Sequence, residues 1–175
     1  MRKLVLYIAV SIDGYIAAEG DDLDWLMAFD PTEDATKAYE DFYHTIDTTL
    51  MGHSTYKFVV KAGVPDPYPD KETIVFSRQE MTDTDRINYV TGDIVAYVEA
   101  LKAKEGKDIW LVGGGVINSI FLKAGLIDEL QTTIVPITLG SGIRLFEGGG
   151  SLQTYETKEV LKLDNGMVHI IYTKV

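Results

Sequence analysis

Short apolar runs of strand length alternate with amphipathic stretches along most of this 175-residue chain. Leu4–Val10 and Ile109–Val112 are uninterrupted apolar runs, which are typical of central strands covered on both faces. Between them, apolar residues recur at helical spacing, as in Ile94–Leu101. The alternation continues to about Gly125 and predicts a mostly parallel, doubly wound α/β sheet with helices on both faces.

The C-terminal part has a different pattern, in which Tyr155–Leu163 and Met167–Val175 flank Asp164-Asn165-Gly166. Asn-Gly is the strongest short-range signal for a hairpin turn. An antiparallel hairpin is therefore predicted at one edge of the parallel sheet. No linker, repeat or low-complexity tract interrupts the chain, so residues 1–175 are predicted to form one domain.

Capping and turn residues predict where several elements begin and end. Asp30 is predicted as an N-cap before Pro31, and another helix is predicted over Ser54–Ala62. Gly106 is expected to end the helix that begins near Ile94. The stretch Ser11–Asp24 contains glycines and several acids and is predicted to be one long loop.

Acidic residues outnumber basic ones by 27 to 16, which gives a net charge of −11. This balance disfavours binding to nucleic acid or to an anionic membrane, because both require a basic face. The chain has no cysteine, and its 3 histidines share no ligand spacing, so no disulfide and no metal site is predicted. No apolar run approaches the ~18 residues that span a bilayer, and a cytoplasmic location is the default expectation.

The sharpest local signal is Gly113-Gly114-Gly115, which lies between a predicted strand and a predicted helix. Glycine lets the backbone approach a phosphate closely, and the following helix directs its free N–H groups at the same point. A tight turn that packs a helix on a strand is the simpler alternative, although one glycine would suffice for it. The pattern is not G-x-G-x-x-G, so it does not predict a standard Rossmann site.

Two further turns could bind phosphate in the same way. Gly52-His53-Ser54-Thr55 again lies between a strand and a helix, where Ser54 and Thr55 could either cap the helix or donate to a phosphate. Ser77-Arg78 follows the predicted strand Thr73–Phe76, at the end of the sheet where ligands of open α/β folds bind. A solvated arginine is the alternative for Arg78.

Together these residues resemble the dihydrofolate reductase-like superfamily, in particular the group related to the C-terminal reductase domain of the bifunctional riboflavin-biosynthesis protein. The segment from Ser11 to Ala17 resembles that group's S-L-D-G-x-I-A motif, and Leu50–Tyr56 resembles its L-M-G-R-x-T-Y motif. Trp110–Gly115 resembles its pyrophosphate turn. Later elements of the pattern, G-L-I-D-E-L, P and L-G-x-G-x-x-L-F, are matched by Gly125–Leu130, Pro136 and Leu139–Phe146.

The resemblance implies an NADPH-dependent reductase with a dihydrofolate reductase-like fold that forms a homodimer. It implies that the nicotinamide contacts the backbone at Ala9 and Ile16, and that the 2′-phosphate lies at Ser77 and Arg78. It places the other phosphates at the two glycine turns, on Gly52, His53, Ser54, Thr55, Gly113, Gly114, Gly115 and Val116. It implies that the substrate contacts Asp13, Trp25 and Thr133.

Some positions depart from the family pattern. Tyr15 and Gly113 stand where the riboflavin-pathway reductases carry lysine and glutamate, and His53 stands where the second motif carries arginine. Dihydrofolate reductases carry a carboxylate on the first helix, and several acids lie near the matching place here. Among them, Asp34 is predicted to be the catalytic residue.

The predicted function is hydride transfer from NADPH to a C=N or C=O group of a pyrimidine- or pteridine-like substrate. Hydride transfer needs alignment of the cofactor and a proton source, not covalent protein chemistry. The alternatives are a regulatory protein that keeps the NADPH site without turnover, and an interaction protein that binds no ligand.

Overall fold

The structure is a computed structural model, and it describes residues 1–61, 63 and 67–175. The strands in these residues are β1 (Leu4–Ser11), β2 (Tyr15–Ala17), β3 (Ile46–Gly52), β4 (Glu72–Phe76), β5 (Ile87–Val90), β6 (Asp108–Gly113), β7 (Glu129–Val135), β8 (Ile143–Arg144), β9 (Tyr155–Lys162) and β10 (Val168–Lys174). The helices are α1 (Asp24–Met27), α2 (Glu33–Thr45), α3 (His53–Lys61), α4 (Ile94–Lys102) and α5 (Gly115–Lys123), and a 3₁₀ turn spans Glu19–Asp21.

Eight of these strands form one sheet in the order β5-β4-β3-β6-β1-β7-β10-β9. The strands from β5 to β7 run parallel, whereas β10 pairs antiparallel with both β7 and β9. The turn between β9 and β10 contains Asn165-Gly166. The predicted fold class, a mostly parallel doubly wound sheet with a C-terminal antiparallel hairpin, is therefore confirmed.

Each face of the sheet has its own core because neighbouring strand residues alternate in direction. Leu4 and Leu6 of β1 pack on one face with Val98 of α4 and Phe121 of α5. Val5 packs on the other face with Phe42 of α2. Helix α2, in the connection from β1 to β3, and helix α5, which follows β6, thus lie on opposite faces, although β1 and β6 are neighbours. A crevice at their carboxyl ends follows from this reversal, and it is where open α/β sheets bind ligands.

Two predicted boundaries are wrong, and a third is not described. Thr32, not Asp30, is the N-cap of α2, and its hydroxyl oxygen accepts from the Ala35 N–H. Helix α4 ends at Lys102, ahead of Gly106, and the Ala103 N–H completes its last turn by donating to the Glu99 carbonyl. The end predicted for α3 at Ala62 lies outside the described residues.

The predicted Ser11–Asp24 loop is also wrong, because β2 and the 3₁₀ turn lie within it. Strand β2 pairs antiparallel with β8, which brings Tyr15 opposite Arg144. This second, two-stranded sheet covers the carboxyl end of β1. Among the described residues, no helix combines the length and apolarity needed to cross a membrane.

Candidate active site

Three polar turns meet at the carboxyl edge of the sheet. Strand register aligns Gly52 at the end of β3 with Phe76 at the end of β4, and Met51 with Gly113 at the end of β6. The turns that follow these strands therefore lie side by side. They carry the residues predicted to bind the cofactor phosphates: Gly52, His53, Ser54, Thr55, Ser77, Arg78, Gly113, Gly114, Gly115 and Val116.

The glycine turn packs directly against the beginning of α3. A Cβ added to Gly114 would lie 3.1 Å from Thr55 Oγ1, and one added to Gly52 would lie 3.1 Å from Ile117 Cγ1. Gly113 has a φ of 119°, which strongly favours glycine, whereas Gly114 has a φ of −76° that any residue can adopt. The φ of Gly114 therefore does not require glycine, whereas the close approach of Thr55 favours a residue without a side chain.

The N-terminus of α5 is open to a ligand. Gly114 is its N-cap and supplies no side-chain acceptor for the first N–H groups of the helix. Val116 in the first turn is 48% exposed, although it is a large apolar residue. Free N–H groups at a helix N-terminus attract an anion, and the helix dipole adds to that attraction.

The turn after β4 offers a cation. The Ser77 side chain is buried, and its hydroxyl oxygen accepts from the Gln79 N–H at 3.1 Å, so Ser77 shapes the turn. Arg78 is exposed and makes no hydrogen bond or ion pair with the part of the chain that is described. Beyond β3, the half-buried His53 contacts the Tyr89 ring edge-on, with ring centroids 6.1 Å apart. Arg78 therefore remains available for an anionic ligand.

The residues predicted to contact the nicotinamide lie on the other side of β6. Ala9 belongs to β1 and is aligned with Thr133 of β7. Ile16 belongs to β2, which follows β1 and pairs antiparallel with β8. Ala9 therefore lies on the strand next to β6, and Ile16 lies on the small sheet that follows that strand.

The segment 139–147 connects the nicotinamide side to the glycine turn. The Leu145 N–H donates to the Gly14 carbonyl at 2.9 Å, and the Glu147 N–H donates to the Gly115 carbonyl at 3.0 Å. Asn118 of α5 donates from Nδ2 to the Leu145 carbonyl at 3.0 Å. A Cβ on Gly115 would lie 2.2 Å from the backbone oxygen of Arg144, so no side chain fits between them.

Asp13, a predicted substrate ligand, holds this segment. Its carboxylate accepts from the Ser11 hydroxyl at 2.6 Å, from the Gly140 N–H at 2.7 Å and from the Leu139 N–H at 3.1 Å. The hydrogen bond from Ser11 and those from the backbone lower the pKa of Asp13 to about 2. Through these hydrogen bonds, the carboxylate of Asp13 fixes the loop after β7.

Trp25 and Thr133, the other predicted substrate ligands, line the carboxyl end of β1 and β7. Trp25 is 8% exposed and packs in a cluster that includes Ala9, while its indole Nε1 has no partner among the described residues. Thr133 Oγ1 lies 2.9 Å from Nδ1 of His169, which is 2% exposed. A buried N–H without a partner is costly, which makes Trp25 suited to donate to a ligand.

His169 was not among the predicted site residues, because from the sequence it was considered only as a metal ligand. It lies on β10, where strand register aligns it with Thr133. Burial lowers the pKa of His169, which keeps its imidazole neutral near pH 7. The imidazole therefore orients the Thr133 hydroxyl as a neutral hydrogen-bond partner.

Asp34, the predicted catalytic residue, lies at the start of α2 beside the turn between β9 and β10. Its carboxylate accepts from the Thr32 hydroxyl, from the Ala35 N–H at 2.8 Å and from the Asp164 N–H at 3.0 Å. The hydrogen bond from Thr32 is the largest cause of a lowered pKa for Asp34. At neutral pH the group is ionised, so it can orient a ligand but does not hold a proton to give away.

An aromatic cluster between α2 and the sheet was also missed. The Tyr7 and Phe42 rings stack with centroids 4.3 Å apart, and Tyr68 lies 4.8 Å from Trp110. Burial raises the pKa of Tyr7 to about 12, so its hydroxyl is neutral. The contacts of Tyr39 and Phe42 with Tyr7 depend on packing between segments far apart in the sequence. Phe42 and Trp110 are buried, so the cluster packs α2 onto the sheet, and Tyr7 and Tyr39 lie at its partly exposed edge.

The sheet order and the C-terminal hairpin define a dihydrofolate reductase-like fold. A model of the RibD C-terminal domain matches residues 2–169, and the chain belongs to that family. It is 40% identical to the uncharacterized protein YwjB of Bacillus subtilis, over 92% of this chain and 90% of that protein.

Solved structures agree with this assignment. A crystal structure from Shewanella sp. PV-4, of a protein provisionally assigned to riboflavin biosynthesis, has a TM-score of 0.87 at 29% identity and covers 99% of both chains. Dihydrofolate reductase from Enterococcus faecalis, complexed with NADP(H), has a TM-score of 0.72 at 19% identity, over 98% of this chain and 96% of that one. The chain therefore has a RibD-like reductase fold.

Proposed function

We propose that the protein is an NADPH-dependent reductase that transfers hydride to a C=N or C=O group of a pyrimidine- or pteridine-like substrate. The observation that carries the proposal is the meeting of three polar turns around the carboxyl end of β6, where the helices that follow neighbouring strands leave to opposite faces. Membership of the RibD C-terminal domain family supports the same reaction class.

The residues at this edge fit NADPH. The close contact between Gly114 and Thr55 leaves little room for a side chain at position 114, and the backbone N–H groups at the start of α5 stay open. These groups would hold the pyrophosphate, Arg78 would hold the 2′-phosphate, and Ala9 and Ile16 would contact the nicotinamide. When bound, NADPH supplies the hydride.

The chain itself would align and shield the substrate. The partly exposed Tyr7 and Tyr39 at the edge of this aromatic cluster would stack on a flat ring, while the buried Phe42 and Trp110 hold them in place. The Trp25 indole N–H and the Thr133 hydroxyl offer hydrogen bonds at the end of β1 and β7.

The ionised Asp34 would orient the substrate as a hydrogen-bond acceptor. The homodimer implied by the resemblance stays a prediction.

The reductase proposal is tested by mixing the purified protein with NADPH and either dihydrofolate or the riboflavin-pathway aminouracil, and following the loss of NADPH absorbance. We expect NADPH to be oxidised only when the second substrate is also present, and NADPH to bind more tightly than NADH. If neither cofactor binds in calorimetry, the proposal fails.

A regulatory protein that binds NADPH without turnover is the second candidate. It is favoured by one observation: both candidate carboxylates near the crevice, Asp13 and Asp34, are engaged by hydrogen bonds from the protein itself. NADPH that raises the melting temperature but is not oxidised across a panel of pteridines and pyrimidines would establish this alternative.

A further inference from the structure

The buried imidazole of His169 has a polar neighbour that reaches the crevice. Among the described residues, its hydrogen-bond partner is Thr133, whose Oγ1 lies 2.9 Å from Nδ1. His169 is 2% exposed, whereas Thr133 is half-buried. A ligand in the crevice can therefore touch Thr133 but not His169, so His169 can act on a ligand only through the Thr133 hydroxyl.

Strand register places Thr133 between His169 and the position proposed for the nicotinamide. Thr133 of β7 is aligned with Ala9 of β1 on one side and with His169 of β10 on the other. Aligned residues of neighbouring strands direct their side chains to the same face of a sheet. The three residues thus form a row, and a substrate ring beside Ala9 would have Thr133 at its edge.

The imidazole is also in contact with Tyr7, which restricts its rotation. The two ring centroids are 5.5 Å apart, and Tyr7 is itself stacked on Phe42 at 4.3 Å. Tyr7 lies two residues before Ala9 on β1 and therefore on the same face of the sheet. Burial and this contact hold the His169 ring in place, so Nδ1 stays directed at Thr133.

The direction of the hydrogen bond depends on which imidazole nitrogen carries the proton. Burial lowers the pKa of His169, so the ring is neutral near pH 7 and carries one N–H. The Glu159 carboxylate on β9 opposes part of this pKa shift, which means that it attracts the imidazole proton. Thr133 lies on β7, the opposite neighbour of β10, and occupies Nδ1, so the nitrogen left to carry the proton is Nε2. Nδ1 then has a free lone pair and accepts from the Thr133 hydroxyl.

We infer that His169 is a positioning residue that makes the Thr133 hydroxyl a hydrogen-bond acceptor toward the crevice, and that the site thereby selects substrates with a ring N–H or amino group at that edge. A hydroxyl has one proton, and once it is donated to His169 only lone pairs remain for the ligand. Trp25, which packs in a cluster with Ala9, can only donate. A heterocycle edge that carries both an acceptor and an N–H group matches this pair. The choice of ligand rests on the proposed reductase function, whereas the orientation of the Thr133 hydroxyl does not.

The orientation is tested by long-range ¹H–¹⁵N correlation spectra of the free protein labelled with ¹⁵N-histidine. We expect an unprotonated Nδ1 and a protonated Nε2 for His169 at neutral pH, and the same pattern in Thr133→Ser, which keeps the hydroxyl. A protonated Nδ1 would mean that His169 donates to Thr133 and that Thr133 donates to the ligand, which would overturn the inference. The spectra need neither NADPH nor a substrate, so they decide this point even if the proposed reductase function fails.

The selectivity is tested with two flat pteridines, lumazine and 1,3-dimethyllumazine, which differ in whether two ring nitrogens carry hydrogen. Calorimetry with NADPH present should show that the wild type prefers lumazine. His169→Leu removes Nδ1 and frees the Thr133 hydroxyl to donate, so the preference should narrow by roughly 2- to 13-fold, the contribution of one neutral hydrogen bond. A steric effect of the methyl groups would not depend on residue 169. An unchanged preference in a folded His169→Leu variant would therefore overturn the inference.

Further variants separate positioning from packing. His169→Asn places an amide oxygen near the position of Nδ1, where it can accept from Thr133, and should keep most of the preference even where it lowers the melting temperature. Thr133→Val should abolish the preference, whereas the control Thr132→Val removes a hydroxyl from the opposite face of β7 and should keep it. Equal losses of preference in His169→Asn and His169→Leu would show that His169 acts through packing alone, and would reject the inference.

A failure of the proposed function gives a different result. If neither lumazine binds to the wild type with NADPH present, the pteridine substrate class and the selectivity inferred from it fail together. The spectra of the free protein still decide whether His169 orients the Thr133 hydroxyl.

Discussion

Alanine substitutions at the adjacent glycines Gly114 and Gly115 distinguish an effect on phosphate binding from an effect on the packing of the fold. Alanine at position 115 would bring its Cβ within 2.2 Å of the backbone oxygen of Arg144, so the segment 139–147 must move. Alanine at position 114 would meet only Thr55 Oγ1, at 3.1 Å, and that side chain can rotate.

The expected magnitudes differ accordingly. Overpacking costs about 1–3 kcal/mol, which for a domain of this size lowers the melting temperature by roughly 2–12 °C in Gly115→Ala. Gly114→Ala should cost about 0.5–1 kcal/mol, as a poorer N-cap. If its Cβ also removes one charge-assisted hydrogen bond to a phosphate, worth about 1.5–3 kcal/mol, NADPH affinity falls roughly 10- to 150-fold.

Scanning fluorimetry gives the stabilities, and calorimetry at a temperature where both variants are folded gives the NADPH affinities. The expected result is a crossover, in which Gly115→Ala is the less stable variant and Gly114→Ala, though nearly as stable as the wild type, binds NADPH weakly. Wild-type affinity in a folded Gly114→Ala variant would refute the assignment of the glycine turn to the pyrophosphate.

Three other perturbations address single side chains. Arg78→Ala should weaken NADPH roughly 10- to 150-fold in calorimetry and leave NADH nearly unchanged; equal losses would make Arg78 structural. The lowered pKa of Asp13, about 2 against an ordinary 3.8, means that its stabilisation is complete above pH 4 and disappears as the pH falls through 2. As the pH falls from 4 to 2, the melting temperature of the wild type should therefore decrease more steeply than that of Asp13→Asn. Parallel curves of melting temperature against pH would contradict this. Thr133→Val leaves Nδ1 of buried His169 without its partner and should cost about 1–3 kcal/mol, or roughly 2–12 °C, whereas Thr133→Ser keeps the hydroxyl and most of the stability; equal melting temperatures for the two variants would argue against the hydrogen bond.

Local patterns predicted the large sheet because its strands carry their own signals. Leu4–Val10 and Ile109–Val112 are apolar throughout, and both are central strands buried on two faces. The hairpin followed from Asn165-Gly166, whose turn geometry is encoded in two residues. The position of the glycine turn between β6 and α5 also followed from the sequence, since strand and helix patterns bracket it on either side.

The covering sheet was missed because its strands are too short to show a pattern. Strand β2 has 3 residues and β8 has 2, and each is a strand only because the other pairs with it. The N-cap of α2 was misplaced because both Asp30 and Thr32 are good caps, and packing decides between them. The contacts of His169 depend on strand register, and those of Tyr7 depend on packing against α2. Neither can be predicted from a short stretch of sequence.

The segment 139–147 is held by close contacts along its length, which sets it apart from ordinary surface loops. Gly142 would place a Cβ 2.2 Å from the Ala17 carbonyl oxygen, and residues on both sides of it are hydrogen-bonded to Asp13, Gly14 and Gly115. Its length is therefore fixed by the distance it spans, and one inserted residue would shift every contact along it. Gly148 and Gly149, immediately beyond, have nothing within 4 Å of an added Cβ. Extra residues, tags or whole inserted domains belong after position 147, where the chain can lengthen without changing the crevice.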